Sequence, residues 1–283
     1  MNGTTPRACV VGHPVAHSRS PLLHGYWLNT LGVHGTYERA DVTEAEFPAF
    51  LQRLRDAGYV GANITVPHKE AAFRLVSRRD KAAAAIGAVN TVWFEEGDLV
   101  GGNTDAYGFI AHLEASIPGW TRTTRRAIVL GAGGAARAIV HGLVERGVET
   151  AVVNRSPERA RELARHFPAG VAAHSLDDLA HLLPEADLLV NATSLGMVGK
   201  PDLSLDLARL NRSAIVYDIV YVPLETALLR GARARGHRTV DGLGMLLHQA
   251  VPAFARWFGV APAVTSELRE LLESDIRTTT GAA

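Results

Sequence analysis

Strand-like and helix-like segments alternate along nearly all of the 283 residues, and this alternation predicts an α/β protein. Two further observations sharpen the expectation. The length fits two domains of about 100–200 residues each. From Arg125 onward the alternation becomes regular, with a glycine-rich turn set between a strand-like and a helix-like run.

The elements follow in order. "ACVVG" (8–12) reads as a first strand, and a helix runs from Ser20 to Leu31 with Ser20 as its cap and Pro21 in the first turn. "GTYERADV" (35–42) is a second strand, and 44–58 an amphipathic helix stopped by Gly58. "YVGANITV" (59–66) is a third strand ending at Pro67, with a helix from Lys69. Residues 88–104 read as a hairpin around a Gly-Asp turn, after which Asp105 opens a helix. Beyond Arg125, strands are expected at 125–133, 150–154, 186–193, 214–220 and 237–242, and helices at 135–147, 157–167 and 223–236. That pattern implies a parallel sheet covered on both faces. Two last helices lie around "MLLHQAVPAFARWFG" and "TSELRELLE", and the tail "TTTGAA" is expected to fray.

Composition bounds the function. The 29 basic and 29 acidic residues balance, so no basic surface for nucleic acid or membrane is expected. The longest apolar runs are strand-length, and "MNGTTPR" lacks the features of a secretory signal. Cys9 is the one cysteine and reads as a small buried strand residue, so the expected location is the cytoplasm. His13, His17, His24 and His68 crowd the N-terminal motifs but read as structural or surface residues, and no metal site is expected.

The segment "GAGGAA" (131–136) matches G-x-G-x-x-A between a strand and a helix, the context that makes this motif specific for a dinucleotide. Gly131 permits the tight turn, Gly133 lets a pyrophosphate approach the backbone, and Ala136 keeps helix and strand close. Ala132, Gly134 and Ala135 complete the loop, whose helix start offers amide donors to phosphate. The following strand ends in "NRSPERA": Asn154, Arg155, Ser156 and Arg159, with no carboxylate at the strand end for a ribose hydroxyl. Two guanidiniums and a hydroxyl suit a 2′-phosphate, so the expected cofactor is NADP.

Four polar clusters fall at strand ends or turns in the first half: "HPVAHSRSP" (13–21), "NITVPHK" (63–69), "GAVNT" (87–91) and "GGNTDAYG" (101–108). With "NATSLGM" (191–197), "YDIVYVPLET" (217–226) and "DGLGMLLHQA" (241–250), this assembly resembles the shikimate/quinate dehydrogenase family over about residues 8–250. The resemblance implies an N-terminal substrate-binding domain (1–106 with 243–283), a Rossmann-type NADP domain (107–242), C-terminal helices returning to the first domain, and a cleft between the two. It implies reversible reduction of 3-dehydroshikimate to shikimate, within chorismate and aromatic amino-acid biosynthesis, by a monomer or homodimer. Lys69 and Asp105 are then the catalytic pair. Ser18 and Ser20 would bind the ring carboxylate with Thr65 and Tyr221 nearby, and Asn63, Asn90 and Gln249 would meet ring hydroxyls or the scaffold. On the cofactor side it adds Thr193, Ile219, Gly242 and Met245. Gly25 and Lys81 depart from the family's usual residues, outside the expected reacting centre.

The chemistry is coherent. A lysine within hydrogen-bond reach can exchange the hydroxyl proton or stabilise the developing alkoxide, and an aspartate can hold the lysine. Two alternatives stand beside it: a relative acting on quinate or aminoshikimate, and a sensor that kept the fold and lost catalysis. Retention of both Lys69 and Asp105 argues against the second.

Overall fold

The computed structural model describes residues 5–167 and 169–280. The chain divides into two compact units. One holds the residues up to Asp105 together with Leu246–Leu272, and the other holds Ala106–Met245 with the residues from Glu273 onward.

In the first unit a six-stranded sheet is built from β1 (Arg7–Gly12), β2 (Thr36–Asp41), β3 (Tyr59–Ile64), β4 (Arg78–Arg79), β5 (Thr91–Glu95) and β6 (Asp98–Gly102). Its order is β2-β1-β3-β5-β6-β4, with β5 antiparallel to β3 and β6. The helices are α1 (Ser20–Thr30), α2 (Phe47–Gln52), α3 (Lys69–Leu75) and α4 (Lys81–Ile86). One core gathers Cys9, Val11, Phe47, Leu51, Leu54, Ile64 and Val92. At about 1.5–3 kcal/mol for each large apolar side chain, such clusters are what orders these elements.

Four expectations change here. Ser20 does not cap α1: Arg19 is the cap residue, Ser20 is the first helical residue, and its N–H donates to the Ser18 hydroxyl. The helix expected over 44–58 shrinks to six residues, because Pro48 confines its start and the chain after Gln52 tightens into turns. Gly58, at φ +83°, ends those turns and not a helix. The hairpin turns on Glu96-Gly97, both left-handed, so that Glu95 faces Asp98. Residues 78–86, unassigned from sequence, hold β4 and α4, with the Asp80 carboxylate capping α4 at the Ala83 N–H.

The second unit begins within α5 (Asp105–Ser116). Its strands are β7 (Arg126–Leu130), β8 (Glu149–Val153), β9 (Val171–His174), β10 (Leu188–Asn191), β11 (Ile215–Asp218) and β12 (Arg238–Val240), alternating with α6 (Gly134–Val144), α7 (Pro157–His166), α8 (Leu179–Leu182) and α9 (Ala227–Ala234). All pairs are parallel, in the order β12-β11-β10-β7-β8-β9. This is the doubly wound arrangement, and the order reverses between β7 and β10. Apolar clusters lie on both faces, one around Val129, Ile139 and Tyr217, the other around Ile128, Leu189 and Leu229. α9 starts four residues later than expected, where the Thr226 hydroxyl caps it at the Leu229 N–H. α10 (Leu243–Phe258) and α11 (Ser266–Thr280) close the chain. Thr278 and Thr279, in the tail expected to fray, are helical, and their hydroxyls donate back to the carbonyls of Ser274 and Asp275. Residues 281–283 of that tail lie outside the described residues.

Candidate functional site

In the first unit, strand ends and helix starts converge on one buried polar cluster. α3 begins with Lys69 and α5 with Asp105, and the Lys69 Nζ donates to Asp105 Oδ2 at 2.5 Å. The side chains keep 14% and 6% of their surface exposed. Asp105 could have capped its own helix, but Asn103 Oδ1 takes its N–H and its carboxylate turns to Lys69 and Asn90.

Asn90 is the hub. Its Nδ2 donates to Asp105 Oδ1 at 2.9 Å, to Thr104 Oγ1 at 3.0 Å and to Gln249 Oε1 at 3.2 Å. Its Oδ1 accepts from the Thr104 N–H and the Thr91 hydroxyl, both at 2.9 Å. Asn63, on β3, donates through Nδ2 to Thr91 Oγ1 at 3.2 Å and accepts the Tyr37 hydroxyl on Oδ1 at 2.7 Å. At the other end, the Ser18 hydroxyl donates to Ser20 Oγ at 3.2 Å, and Arg39 fixes the Ser18 carbonyl through Nε and Nη2 at 3.1 and 2.7 Å. Ser18, Ser20, Asn63, Asn90, Asp105 and Gln249 are all buried. Thr65 follows β3, half-buried, with its N–H on Val11 O. Tyr221 is half-buried in the loop after β11 and belongs to the second unit.

Sequence reading missed Tyr37, Arg39, Thr91 and Thr104, whose roles depend on contacts across the sheet. Of the four N-terminal histidines, His24 and His68 are buried and packed, while His13 and His17 are exposed. His24 is fully buried and stacked on Tyr37 at 3.9 Å, and burial pushes its imidazole down to about 3. His68 stacks on Phe47, its Nε2 on the Val42 carbonyl. No group of three or more potential metal ligands occurs among the described residues.

In the second unit the G-x-G-x-x-A loop leaves β7 at the point where strand order reverses. Gly131 takes φ +107°, and a Cβ there would come within 3.1 Å of Ala192 O and Thr193 Cγ2. Gly133 precedes α6, which starts at Gly134, and a Cβ on Gly133 would meet no heavy atom within 4 Å. The loop is thus closed on the protein side at Gly131 and roomy at Gly133, and the first N–H groups of α6, including that of Ala135, face no intrahelical carbonyl. These residues fit a dinucleotide pyrophosphate. After β8, Asn154 donates to the Ser156 carbonyl, the Ser156 hydroxyl donates to Glu158, and Arg155 and Arg159 are exposed.

A second buried network ties the loops after β10 and β11. Asp218, fully buried, accepts from Asn191 Nδ2 at 2.8 Å, the Val220 N–H at 3.0 Å and the Thr226 hydroxyl at 2.7 Å. Asn191 Oδ1 receives the Thr193 N–H and hydroxyl, so that hydroxyl is spent within its own loop. Ile219 stands beside Asp218, and Gly242 lies against it: a Cβ on Gly242 would sit 2.1 Å from Ile219 O. Met245 is buried in the unit's core.

Three family models match consecutive parts of the chain. They are the shikimate dehydrogenase substrate binding domain over residues 10–92, shikimate/quinate 5-dehydrogenase over 114–219, and the shikimate 5′-dehydrogenase C-terminal domain over 242–271. A shikimate dehydrogenase (NADP(+)) of Mesorhizobium japonicum is 55% identical over 277 residues, 98% of this chain and 99% of that one. The chain belongs to the shikimate/quinate dehydrogenase family. Among solved members of it, the Thermus thermophilus shikimate 5-dehydrogenase in complex with NADP(H) and shikimate is 40% identical with a TM-score of 0.83, covering 96% of this chain and 99% of that one. The quinate dehydrogenase of Corynebacterium glutamicum in complex with NAD is 33% identical with a TM-score of 0.87, over 95% and 99%. Gly25 and Lys81 are both exposed. No helix among the described residues is long and apolar enough to cross a membrane.

Proposed function

We propose that this chain is an NADP-dependent shikimate dehydrogenase that interconverts 3-dehydroshikimate and shikimate. The observation that carries the reading is the buried Lys69–Asp105 contact, ringed by amide and hydroxyl groups, within the part of the chain that matches the family's substrate-binding model. Curated relatives at 52–55% identity over nearly the full length share that activity in their names.

Gly131–Ala135 hold the pyrophosphate through backbone amides, and Arg155 and Arg159 hold the 2′-phosphate, with Asn154 and Ser156 shaping their loop. Thr193, Ile219, Gly242 and Met245 line the remainder of the cofactor site in this reading, as the family resemblance implies. The bound dinucleotide supplies the hydride donor or acceptor. The chain's own residues handle the proton and the orientation. Oxidising a secondary alcohol frees a proton from its oxygen, and Lys69 Nζ takes that proton or stabilises the alkoxide as it forms. Asp105 Oδ2 aims the lysine, while Asn90 holds Oδ1 and keeps the carboxylate from swinging. Ser18, Ser20 and Thr65 receive the substrate carboxylate, and Asn63, Asn90 and Gln249 receive ring hydroxyls. The assignment of Tyr221 to the substrate rests on the family resemblance alone. We infer a monomer or homodimer working in the cytoplasm on a small molecule. The equal numbers of acidic and basic residues support a small-molecule partner over nucleic acid.

The test is NADP reduction with shikimate, quinate and aminoshikimate side by side, repeated with NAD. Shikimate with NADP is expected to give the highest kcat/KM. A preference for quinate, which the likeness to a quinate dehydrogenase makes the second reading, overturns the substrate assignment and leaves the oxidoreductase class standing.

A further inference from the structure

The hydrogen bonds of the first unit form one unbroken path, and their directions can be worked out. The Thr104 backbone N–H can only donate and reaches Asn90 Oδ1, while Asp105 Oδ1 needs a donor and is reached by Asn90 Nδ2. The Asn90 amide is therefore fixed with its oxygen toward Thr104. The Thr91 hydroxyl, facing that same oxygen, must donate to it, which leaves Thr91 Oγ1 to accept from Asn63 Nδ2. Asn63 Nδ2 also faces the Asn90 carbonyl, at 3.4 Å, so its Oδ1 points the other way and must accept the Tyr37 hydroxyl at 2.7 Å. The path of observed bonds thus begins at the Tyr37 hydroxyl, with its proton committed to Asn63, and ends at Asp105.

We propose that Tyr37 and Thr91 are positioning residues of the substrate site, two links of a one-way hydrogen-bond chain that runs from Tyr37 to Asp105 and fixes the facing of the Asn63 and Asn90 amides. Neither residue touches substrate in this account. The proposal rests on the functional reading above, and it adds the cause of the site's polarity. Without Tyr37 the Asn63 oxygen loses its donor, and the amide is held through Nδ2 alone, by Thr91 Oγ1 and, at 3.4 Å, by the Asn90 carbonyl, so its setting in the site loosens. Without the Thr91 hydroxyl, Asn63 and Asn90 lose their common partner. The phenol is well suited to its place. Burial raises it well above the usual phenol range, so it remains a donor at neutral pH, and the neutral His24 ring stacked 3.9 Å away at an interplanar angle of 3° fixes the plane of the tyrosine.

The experiment compares Tyr37→Phe, Thr91→Val and Thr91→Ser with the parent, reading kcat, the shikimate KM and the NADP KM. Tyr37→Phe and Thr91→Val are expected to lose about five- to ten-fold in kcat/KM for shikimate, as for one hydrogen bond, with the NADP KM unchanged and Thr91→Ser near the parent value. Side-chain amide spectra of ¹⁵N-labelled protein are recorded without substrate, and the Asn63 resonances are expected to shift in Tyr37→Phe and Thr91→Val but not in Thr91→Ser. Kinetics within two-fold of the parent for both Tyr37→Phe and Thr91→Val overturn the proposal, as does an equal loss in Thr91→Ser. A parent enzyme that does not turn over shikimate sinks the functional reading instead, and the amide spectra then decide the chain: unmoved Asn63 resonances overturn it.

Discussion

Asp218 offers a sharp test of how the loops after β10 and β11 are held. Burial pushes its carboxyl from the ordinary 3.8 up to about 6, against the opposing pull of the bonds from Thr226, Val220 and Asn191. Between those two pH values the folded chain holds a proton on Asp218 that the unfolded chain has released. Stability from this group is thus fully present below 3.8 and is lost as pH rises through 6. The difference amounts to about 3 kcal/mol, at 1.36 kcal/mol for each pH unit separating the two values. Asp218→Asn removes the titration while keeping an oxygen for Asn191 and Val220, although the Thr226 hydroxyl loses its acceptor. Other carboxyls contribute their own slopes, so the quantity to follow is the stability of the variant minus that of the parent. It should rise by about 2.4 kcal/mol between pH 4 and pH 7. Native-state hydrogen exchange at the β11 amides, corrected for intrinsic exchange, reads this within the second unit. A difference that stays flat with pH would refute the argument, because it would mean that the buried carboxyl is ionised in the fold throughout.

Lys69→Ala or Asp105→Asn should lower kcat by roughly 10²–10⁴-fold in steady-state assays while shikimate affinity changes far less; near-normal turnover in either variant removes that residue from the reacting pair. Arg155→Ala and Arg159→Ala should each weaken NADP binding by about 1–3 kcal/mol in titration calorimetry with NAD little affected, and equal losses for both cofactors would argue against a phosphate contact. Gly242→Ala forces a carbon to within 2.1 Å of Ile219 O and 2.7 Å of Val220 O, so thermal melts should show a loss of about 1–3 kcal/mol together with weaker NADP binding. An unchanged melting temperature would show that the Ile219 loop yields freely.

The second unit was the more legible half because its strands are buried on both faces. β7, β10 and β11 read as unbroken apolar runs, and the glycine pattern marked the turn where β7 meets α6. β9 escaped notice because "VAAH" is a half-exposed edge strand with neither an apolar run nor an alternation. In the first unit, proline and turn chemistry misled the reading. Pro48 shortened a helix that periodicity alone would have extended. The hairpin placed Glu96 at φ +53°, a conformation glutamate seldom supplies, so the sequence pointed one residue too far along. Lys69 and Asp105 stood out because each lies in a distinctive motif. Tyr37 and Thr91 did not, because a tyrosine on β2 and a threonine on β5 acquire meaning only when the sheet sets β3 between them.

The path from Tyr37 to Asp105 passes through two carboxamides, and this decides what can travel along it. Orientation passes freely, since each donor dictates the facing of the next. Charge does not. To relay a proton, Asn63 or Asn90 would have to take one on Oδ1 and release another from Nδ2, leaving an imidic acid, a tautomer far less stable than the amide. The chain is therefore an insulator for protons between Tyr37 and Asp105. In the proposed mechanism a proton collected by Lys69 leaves at the lysine itself, whose side chain keeps 14% of its surface exposed.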